Sequence, residues 1–251
     1  MKKLICLTAL VFAIPLFAQS ARRAVANDFA SDFQTVPAMG NTTGNGGTKF
    51  VTYVALFNPT SSAFNVQASL YDANGTKRDA TIPLAANELK TYANFLETVF
   101  NYTGGGAVTF QAPATAGGTN NNRFIVSAEA RTTGARYGTS IPTVEFAGTS
   151  SKSFAAGVAV TTNSRTNVGC FNQSDATNVV KASVYDKVGG VLIGTVNLNL
   201  PPKAWGQTTV TSIVADGYIQ FEPAEPAVCY AVVVDNSTSD GRFIPAVEYT
   251  P

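Results

Sequence analysis

Residues 51–76 read VTYVALFNPTSSAFNVQASLYDANGT, and residues 165–190 read RTNVGCFNQSDATNVVKASVYDKVGG. The two stretches superpose without a gap at an offset of 114 residues, and at least nine residue identities recur in order. These are Thr52, Val54, Phe57, Asn58, Ala68, Ser69, Tyr71, Asp72 and Gly75, which return as Thr166, Val168, Phe171, Asn172, Ala182, Ser183, Tyr185, Asp186 and Gly189. Apolar and polar residues alternate on both sides of an asparagine turn in each copy, which predicts a β-hairpin that occurs twice.

The rest of the chain extends the same duplication. About seven short alternating strands with turn residues between them can be assigned to each copy, a pattern typical of β-sandwiches. Each copy also ends on a similar phrase, SIPTVEF at 140–146 and FIPAVEY at 243–249. The sequence therefore predicts an all-β protein of two tandem immunoglobulin-like antiparallel β-sandwich domains, at 33–147 and 154–251, joined by a linker at 148–153.

Two local segments carry more specific predictions. Pro37 interrupts the first strand, at 33–39, and a proline that donates no ladder hydrogen bond favours an edge position. The phrase NFLETVF at 94–100 places Asn94 as an N-cap three residues before Glu97, which predicts a short helical crossover.

The N-terminus has the pattern of an export signal. The chain begins MKK, continues through the apolar run LICLTALVFAIPLF and reaches Ala18 before Gln19, as in a cleaved secretory signal peptide at 1–18. The apolar run of about 14 residues is shorter than the roughly 20 that a membrane-spanning helix needs. Residues 19–32 lack a sustained period and are predicted to be a flexible lead-in.

Charge and export together restrict the partners and the location. Without the leader the chain carries 15 basic and 16 acidic residues, so no excess of basic charge indicates binding to nucleic acid or to anionic lipid. No second apolar run indicates an integral membrane span after signal removal. We expect a secreted or periplasmic protein, with attachment at the cell surface as a further option.

Two cysteines remain after the leader, Cys170 and Cys229. An even number in an oxidising compartment predicts a disulfide, with two buried free thiols as the alternative. Alignment of the copies puts Leu56 and Ile125 at the same positions, so the disulfide would replace an apolar core contact. One cysteine lies on an early strand and the other on a late strand, which predicts a bridge between the two sheets of the second sandwich.

The segment VPAMGNTTGNGGTKFVTYVALFNPTSSAFNVQASLYDANGT at 36–76, with the later phrase SIPTVEF, resembles a repeat unit found in many secreted bacterial proteins. The most specific pieces are ALFNPT, the Y-D-x-x-G turn and the I-P-x-V-E-Y/F ending, and the resemblance covers nearly all of 33–251. It implies immunoglobulin-like sandwiches that occur singly, in tandem or attached to secreted enzymes, mostly without an assigned activity. The second copy departs from the unit by its cysteine pair and a shorter late hairpin.

Catalytic chemistry is restricted by one missing residue type. The chain contains no histidine, which excludes Ser-His-Asp and Cys-His nucleophile systems and removes the commonest zinc ligand. Neither a G-x-S-x-G elbow nor an S-x-x-K dyad is present. A pair of carboxylates could still hydrolyse glycosides, and sequence spacing does not reveal such a pair. We assign no catalytic, cofactor-binding or metal-ligating residue and expect neither enzyme activity nor a cofactor.

Three loops raise the question of a ligand site. The glycine run at 104–106 could cradle phosphate, but a strand follows where a helix N-terminus is needed, which favours a turn. Asp72 opens a loop like that of a calcium site, yet both copies lack the acidic residue twelve positions on, which favours a hairpin turn. The oxygen-rich stretch at 235–241 favours an Asx-type turn over a metal site.

Two recurring charged residues and one inserted loop are further candidates for a ligand-binding site. Arg136 and Glu145 recur as Arg242 and Glu248 around the closing strand, where a ligand contact competes with a structural ion pair or solvated strand faces. The loop at 112–123, an insertion of the first copy, is either a binding loop or a flexible hairpin tip.

Aromatic residues allow two interpretations. Four tyrosines could form a sugar-binding platform or pack between strands: Tyr53, Tyr92, Tyr102 and Tyr218. Trp205, the only tryptophan, aligns with Leu89, and a position that is apolar in both copies favours core packing over ligand stacking.

The sequence thus predicts a secreted, non-catalytic tandem β-sandwich protein that acts as an extracellular or cell-surface interaction or structural module. Its partner would be an extracellular protein or glycan and not a nucleic acid. Two alternatives stay open. One is a carbohydrate-binding module, indicated by the fold and the tyrosine content, and the other is a self-assembling surface subunit in which an exposed edge strand pairs with the next copy.

Overall fold

The computed structural model describes residues 30–44, 47–114, 122–136, 138–145 and 148–249. Within those ranges the protein is all-β and sandwich-like, and its strands pair antiparallel. The first half contains eight strands and a six-residue helix: β1 Phe33–Thr43, β2 Lys49–Phe57, β3 Phe64–Tyr71, β4 Lys77–Leu84, β5 Leu89–Tyr92, α1 Phe95–Phe100, β6 Gly104–Gln111, β7 Ile125–Thr132 and β8 Thr139–Ile141.

The second half contains nine strands. They are β9 Ser153–Val160, β10 Ser164–Asn172, β11 Asn178–Asp186, β12 Leu192–Leu200, β13 Trp205–Thr209, β14 Val214–Pro223, β15 Ala227–Asp235, β16 Gly241–Pro245 and β17 Val247–Glu248. No helix in the described ranges is long and apolar enough to cross a membrane. The signal peptide predicted at 1–18, its cleavage between Ala18 and Gln19, and the lead-in up to residue 29 lie outside the described residues.

The first half is one folded sheet. Its strands follow the order β4-β3-β6-β1-β2-β7-β8, and β5 pairs with β2. β1 joins the two layers, because most of it pairs with β6 while its last residues, Asn41 to Thr43, pair with β2. The register of β1 shifts between Val36 and Met39, which leaves Pro37 in a bulge. The predicted edge position of Pro37 is therefore wrong, since the bulge removes the need for a ladder hydrogen bond in the middle of a sheet.

The second half repeats these pairings in two separate sheets. One has the order β13-β10-β15-β16, which corresponds strand for strand to β5-β2-β7-β8. The other has the order β12-β11-β14-β9-β17, which corresponds to β4-β3-β6-β1 with an added bridge between Thr35 and Val144. Each half encloses its own apolar core, with Leu56 and Phe110 buried in the first and Ile219 and Phe221 in the second.

The helical crossover is confirmed. The Asn94 side chain accepts a hydrogen bond from the Glu97 amide at 3.4 Å and so caps α1. Phe95 and Leu96 are buried in the first core, which fixes the helix across one end of the sheet.

A buried asparagine explains the F-N motif of the first half. Asn58 is fully buried, and its Nδ2 donates to the carbonyls of Ser62 and Ala85 at 2.8 Å. Its Oδ1 accepts from the Thr60 amide at 2.9 Å. One side chain thus satisfies backbone groups of two different loops, which fixes the turn after β2 against the turn after β4.

The second half builds the same clamp with Asn172. Its Nδ2 donates to the carbonyls of Ala176 at 2.8 Å and Pro201 at 2.7 Å, and its Oδ1 accepts from the Ser174 amide at 3.0 Å. Asn172 is fully buried like Asn58. The recurrence of asparagine therefore has a structural cause, because only an amide supplies both donors and the acceptor at this point.

The predicted disulfide is confirmed, but its place in the fold is not. Cys170 on β10 and Cys229 on β15 are bonded and lie directly opposite each other in one sheet, with Cα atoms 4.1 Å apart. The prediction of a bridge between sheets is wrong. Because Gln173 N donates to Pro226 O, the cysteine pair falls at a non-hydrogen-bonded position of the ladder, where Cα atoms approach most closely.

The disulfide does replace an apolar core contact, with a different partner from the one predicted. In the first half Leu56 lies opposite Val126, and both are buried. Ile125 lies opposite Phe57 and is 40% exposed. The sequence alignment was displaced by one residue there, and in a strand such a shift moves a side chain to the other face.

Candidate functional site between the two halves

The outward face of β10, β13 and β15 is covered by the first half, with a tyrosine at its centre. Tyr230 is fully buried, and its hydroxyl accepts from Trp205 Nε1 and donates to Gln207 Oε1, both at 3.0 Å. Phe243 stacks on the Tyr230 ring with centroids 4.7 Å apart. Gly169 provides the space, since a Cβ there would lie 2.2 Å from the Tyr230 oxygen. Burial raises the pKa of Tyr230, so its hydroxyl stays protonated and able to donate.

The first half meets this face through the β3–β4 turn and the start of β6. Trp205 N donates to the Asp72 carbonyl at 3.0 Å, and the indole ring lies against Gly105. Tyr71 packs on Phe171 with ring centroids 5.2 Å apart. At the other edge, the Thr139 hydroxyl donates to the Gly241 carbonyl. Hydrogen bonds and ring contacts therefore join the two halves over a wide surface.

The core position predicted for Trp205 is wrong. Trp205 belongs to neither core and packs between the halves, while its counterpart Leu89 is 60% exposed. Both residues lie on the outward face of their strand. An apolar outward residue is hidden only where another part of the protein covers it, so the same position is partly buried in one half and solvated in the other.

Gly105 offers a direct test of this contact. A Cβ on Gly105 would lie 2.6 Å from two carbon atoms of the Trp205 ring, so we expect Gly105→Ala to displace the indole. The displaced ring would become more hydrated, which should shift the fluorescence of the only tryptophan to longer wavelength and lower the stability by about 1–3 kcal/mol. Gly40→Ala is the matched control, because its nearest neighbour would be 3.8 Å away. Identical spectra for both variants would contradict the contact.

Beside these contacts the two halves leave a cleft with a volume of about 780 Å³. The first half contributes residues from the end of β1 and the start of β2, among them Thr42 and Phe50. The second half contributes the outward faces of β10, β13 and β15, with Asn167, Thr209 and Val232. Binding sites for small and extended ligands commonly have volumes of about 300–1,000 Å³, so the cleft is large enough for one.

The cleft is nearly uncharged. Arg165 and Asp240 are the only charged side chains among the described residues that line it. Arg165 Nη1 donates to Asn236 Oδ1 at 2.7 Å, and the Thr209 hydroxyl donates to Asn167 Oδ1 at 2.8 Å. One carboxylate faces this space from the described residues, whereas carboxylate-dependent glycoside hydrolysis uses two. Apolar surface with hydroxyl and amide groups suits an extended, uncharged ligand.

The loop that starts at Asp72 is the predicted hairpin turn. Asp72 Oδ1 accepts from the amides of Asn74 and Thr76, and Oδ2 accepts from Arg78 at 3.1 Å. Burial raises the pKa of the Asp72 carboxyl, but the hydrogen bond from Arg78 and those from the two amides outweigh burial and hold the pKa below its usual value. The Asp72 carboxylate therefore stabilises its own hairpin turn.

The stretch at 235–241 is likewise the predicted Asx-type turn. Asp235 Oδ1 accepts from the hydroxyl and amide of Ser237 and from the Thr238 amide, and these bonds lower the pKa of Asp235 to about 2. Across the described ranges, no group of three or more acidic or cysteine residues is placed to hold a metal ion.

The glycine run at 104–106 is neither a phosphate cradle nor a turn. It begins β6 and pairs with the end of β1, so the predicted turn is wrong. Glycine is required for close packing instead. Gly105 lies under Trp205, and a Cβ on Gly106 would lie 2.7 Å from the Tyr71 carbonyl oxygen.

The two recurring charges of the second copy, Arg242 and Glu248, have structural partners. Arg242 donates to the Gly157 carbonyl, and Glu248 accepts from the Thr149 hydroxyl at 2.9 Å. These two residues do not pair with each other in the described chain, and neither lines the cleft. The first-half insertion at 112–123 falls largely outside the described residues, since 115–121 are not covered.

Three of the four candidate tyrosines pack against neighbours in the first half. The Arg131 guanidinium carbon lies 3.7 Å above the Tyr53 ring centroid, and the Arg78 guanidinium carbon lies 4.7 Å above that of Tyr102. Tyr92 meets Phe95 edge to face, with centroids 5.2 Å apart. These rings belong to separate contacts and do not form one platform.

Tyr218 belongs to an aromatic row that sequence reasoning missed. Tyr185 stacks on Tyr218 at 5.0 Å, Phe154 follows at 6.3 Å, and Tyr249 lies 6.4 Å from Phe154. The row crosses the outward face of β11, β14 and β9. The available signal was an aromatic residue at an outward position on each of three strands, but the strand order needed to align them is not local information.

Comparison with known proteins adds no family to these observations. No protein-family model matches the chain, and no curated protein matches it either. The resemblance of its motifs to a secreted bacterial repeat unit therefore stays a prediction.

Proposed function

We propose that the protein is a secreted, non-catalytic interaction module of two tandem immunoglobulin-like units, which binds an extended, uncharged partner in the cleft between them. The observation that carries the proposal is the cleft of about 780 Å³, with its apolar and hydroxyl- or amide-bearing lining. An extracellular polypeptide segment or a neutral glycan strand has the matching chemistry.

The tandem organisation is supported by the pairing order. Each half has the same strand neighbours and its own core. The pairs β2–β5 and β3–β6, with their counterparts in the second half, match the B–E and C–F pairs of an immunoglobulin sandwich, whereas the β1–β6 and β2–β7 pairs have no counterpart there. The disulfide differs from that of antibody domains because it joins neighbouring strands of one sheet.

Location outside the cytoplasm is supported by two features. The first 18 residues have the composition of a secretory leader. The Cys170–Cys229 disulfide is of a kind that persists in oxidising compartments, which include the periplasm and the extracellular space.

The proposal can be tested by filling the cleft. Thr209 is exposed on β13 and lines the cleft, so Thr209→Trp should occupy the binding space. Thr208 precedes it, is also exposed and does not line the cleft, which makes Thr208→Trp the matched control. Each purified protein is used to capture partners from native envelope and culture medium and is titrated against a panel of neutral oligosaccharides.

We expect wild type and Thr208→Trp to retain the same partner or glycan, and Thr209→Trp to bind it at least about tenfold more weakly, because an indole fills part of the space that the ligand would occupy. Equal capture by the two tryptophan variants would place binding elsewhere. The absence of any saturable partner would overturn the proposal.

A further inference from the structure

The face that the second half buries against the first recurs on the first half without a cover. In the second half, Phe171 lies opposite both Trp205 and Val228 on the outward side of the sheet. Phe171 is 2% exposed and Val228 is 8% exposed, and Tyr71 of the first half packs on Phe171. This buried face is the intramolecular docking face.

The first half carries the same arrangement in the same register. Phe57 lies opposite Leu89 on one side and Ile125 on the other. Leu89 and Ile125 are among the exposed large hydrophobic residues of the described chain. We call the outward surface of Phe57, Leu89 and Ile125 the tail face. It corresponds residue for residue to the intramolecular docking face, and nothing within the described chain covers it.

The part of the first half that covers the intramolecular docking face has a counterpart in the second half. In the first half it is the β3–β4 turn, with Tyr71, Asp72 and Gly75. In the second half the corresponding β11–β12 turn carries Tyr185, Asp186 and Gly189. Tyr185 stacks on Tyr218 of the neighbouring strand, and no described residue of the first half packs on this turn. We call this turn and its neighbours the head surface.

Exposed apolar side chains concentrate at these two ends. Seven of the ten exposed large hydrophobic residues in the described ranges lie there. Leu89 and Ile125 belong to the tail face, while the head surface has Val188, Val191, Leu192, Ile193 and Ile213. Ser212 contacts Gly194, which places Ile213 beside the β11–β12 hairpin. Paired exposed apolar surfaces on one molecule indicate an interaction between molecules.

The tail face also presents a backbone amide, that of Leu89, for the contact with another molecule. Asn58 N donates to Glu88 O, so the adjacent Phe57–Leu89 pair is non-hydrogen-bonded and the Leu89 amide points away from β2. Its counterpart is the Trp205 amide, which donates to the Asp72 carbonyl inside the molecule. On the head surface the equivalent acceptor is the carbonyl of Asp186.

We propose that the chain associates head to tail with a second copy of itself. The β11–β12 turn of one molecule docks on the tail face of the next, as the β3–β4 turn docks on the second half within one molecule. The two surfaces are different, so the contact is heterologous and each added copy presents a fresh head or tail, which produces an open linear assembly. Neither surface includes the cleft, and the inference is independent of the proposed binding function.

Side-chain sizes in the two contacts are complementary. Gly106 and Gly217 lie against the carbonyls of Tyr71 and Tyr185, which aligns the preceding residues, Gly105 and Asp216. In the intramolecular contact the large Trp205 meets Gly105. In the intermolecular contact the smaller Leu89 meets the larger Asp216, whose carboxylate forms an ion pair with Lys187 at 3.0 Å.

The test is sedimentation of the purified protein from about 1 μM to 1 mM, a range that covers weak specific contacts. We expect the average mass to rise with concentration and to pass the dimer without a plateau. Leu89→Glu on the tail and Val188→Glu on the head should each abolish growth, because the first would face the Asp216 carboxylate and the second would be buried against the apolar tail face. Val179→Glu, exposed on β11 outside both surfaces, is the control and should assemble like wild type.

Mixing the two defective variants gives the most specific result. A Leu89→Glu chain keeps its head and a Val188→Glu chain keeps its tail, so an equal mixture should form dimers and nothing larger. A monomer at every concentration, a closed dimer of the wild type, or growth unaffected by either glutamate in variants with wild-type melting temperatures would overturn the proposal.

Discussion

Replacing both disulfide cysteines with serine should lower the free energy of unfolding by about 4 kcal/mol, the chain-entropy value for a loop of this length. Cys170 and Cys229 are separated by 59 residues, and their bond joins neighbouring strands inside the second core. The two serines would also leave buried hydroxyls in place of apolar sulfur. Urea unfolding of the oxidised wild type and the Cys170→Ser, Cys229→Ser variant, followed by tryptophan fluorescence, measures the difference.

The first half provides a matched control for that experiment. Leu56 and Val126 occupy the corresponding pair of positions and pack without a covalent bond. Cys170→Leu combined with Cys229→Val should therefore lose the loop constraint while keeping the apolar contact, and should be more stable than the serine variant. If the serine and the Leu/Val variants unfold at the same urea concentration, the packing part of this account is wrong.

Replacing Asn172 with alanine should cost about 3 kcal/mol, because it leaves two carbonyls and one amide without their partner at a fully buried site. Those groups belong to Ala176, Pro201 and Ser174, which lie in two different turns. We expect the urea midpoint to fall with an unchanged slope, since the folded structure is weakened and the surface exposed on unfolding stays the same.

Asn199→Ala is the control for the asparagine clamp. Asn199 is exposed on β12, and an exposed substitution of this kind should change stability by no more than about 0.5 kcal/mol. Asn58→Ala should reproduce the loss in the first half, because Asn58 makes the corresponding hydrogen bonds to two carbonyls and one amide. A clamp variant as stable as Asn199→Ala would show that water replaces the lost partners.

The sequence predicted the local elements well. The alternation of apolar and polar residues predicted the strands, and the Asn94 cap predicted α1. Both signals depend only on neighbours within a few residues. The asparagine turns and the Asp72 hairpin also follow from local hydrogen bonds. In the structure the duplicated motif lies on strands that have the same neighbours in both halves.

The contacts between the halves could not be predicted in the same way. Alternation shows that Leu89 and Trp205 point to one side of a strand, but it does not show that only the second of them is covered. The one-residue displacement at Ile125 has the same origin, since apolar residues occupy both faces of β7 near its start. The cleft is lined by common threonine, asparagine and valine residues from separate strands, so no local motif marks it.

The linker between the two halves is anchored, and this affects the association rate of a partner. Thr149 exchanges two backbone hydrogen bonds with Ala227, both at 3.1 Å, and the Gly148 amide donates to the Gln173 side chain. The described part of the linker is therefore anchored to the second half, and together with the hydrogen bond from Trp205 N to the Asp72 carbonyl it restrains hinge motion at the cleft. A partner that enters it needs no hinge motion, so its association rate should depend linearly on concentration, with no slow conformational phase.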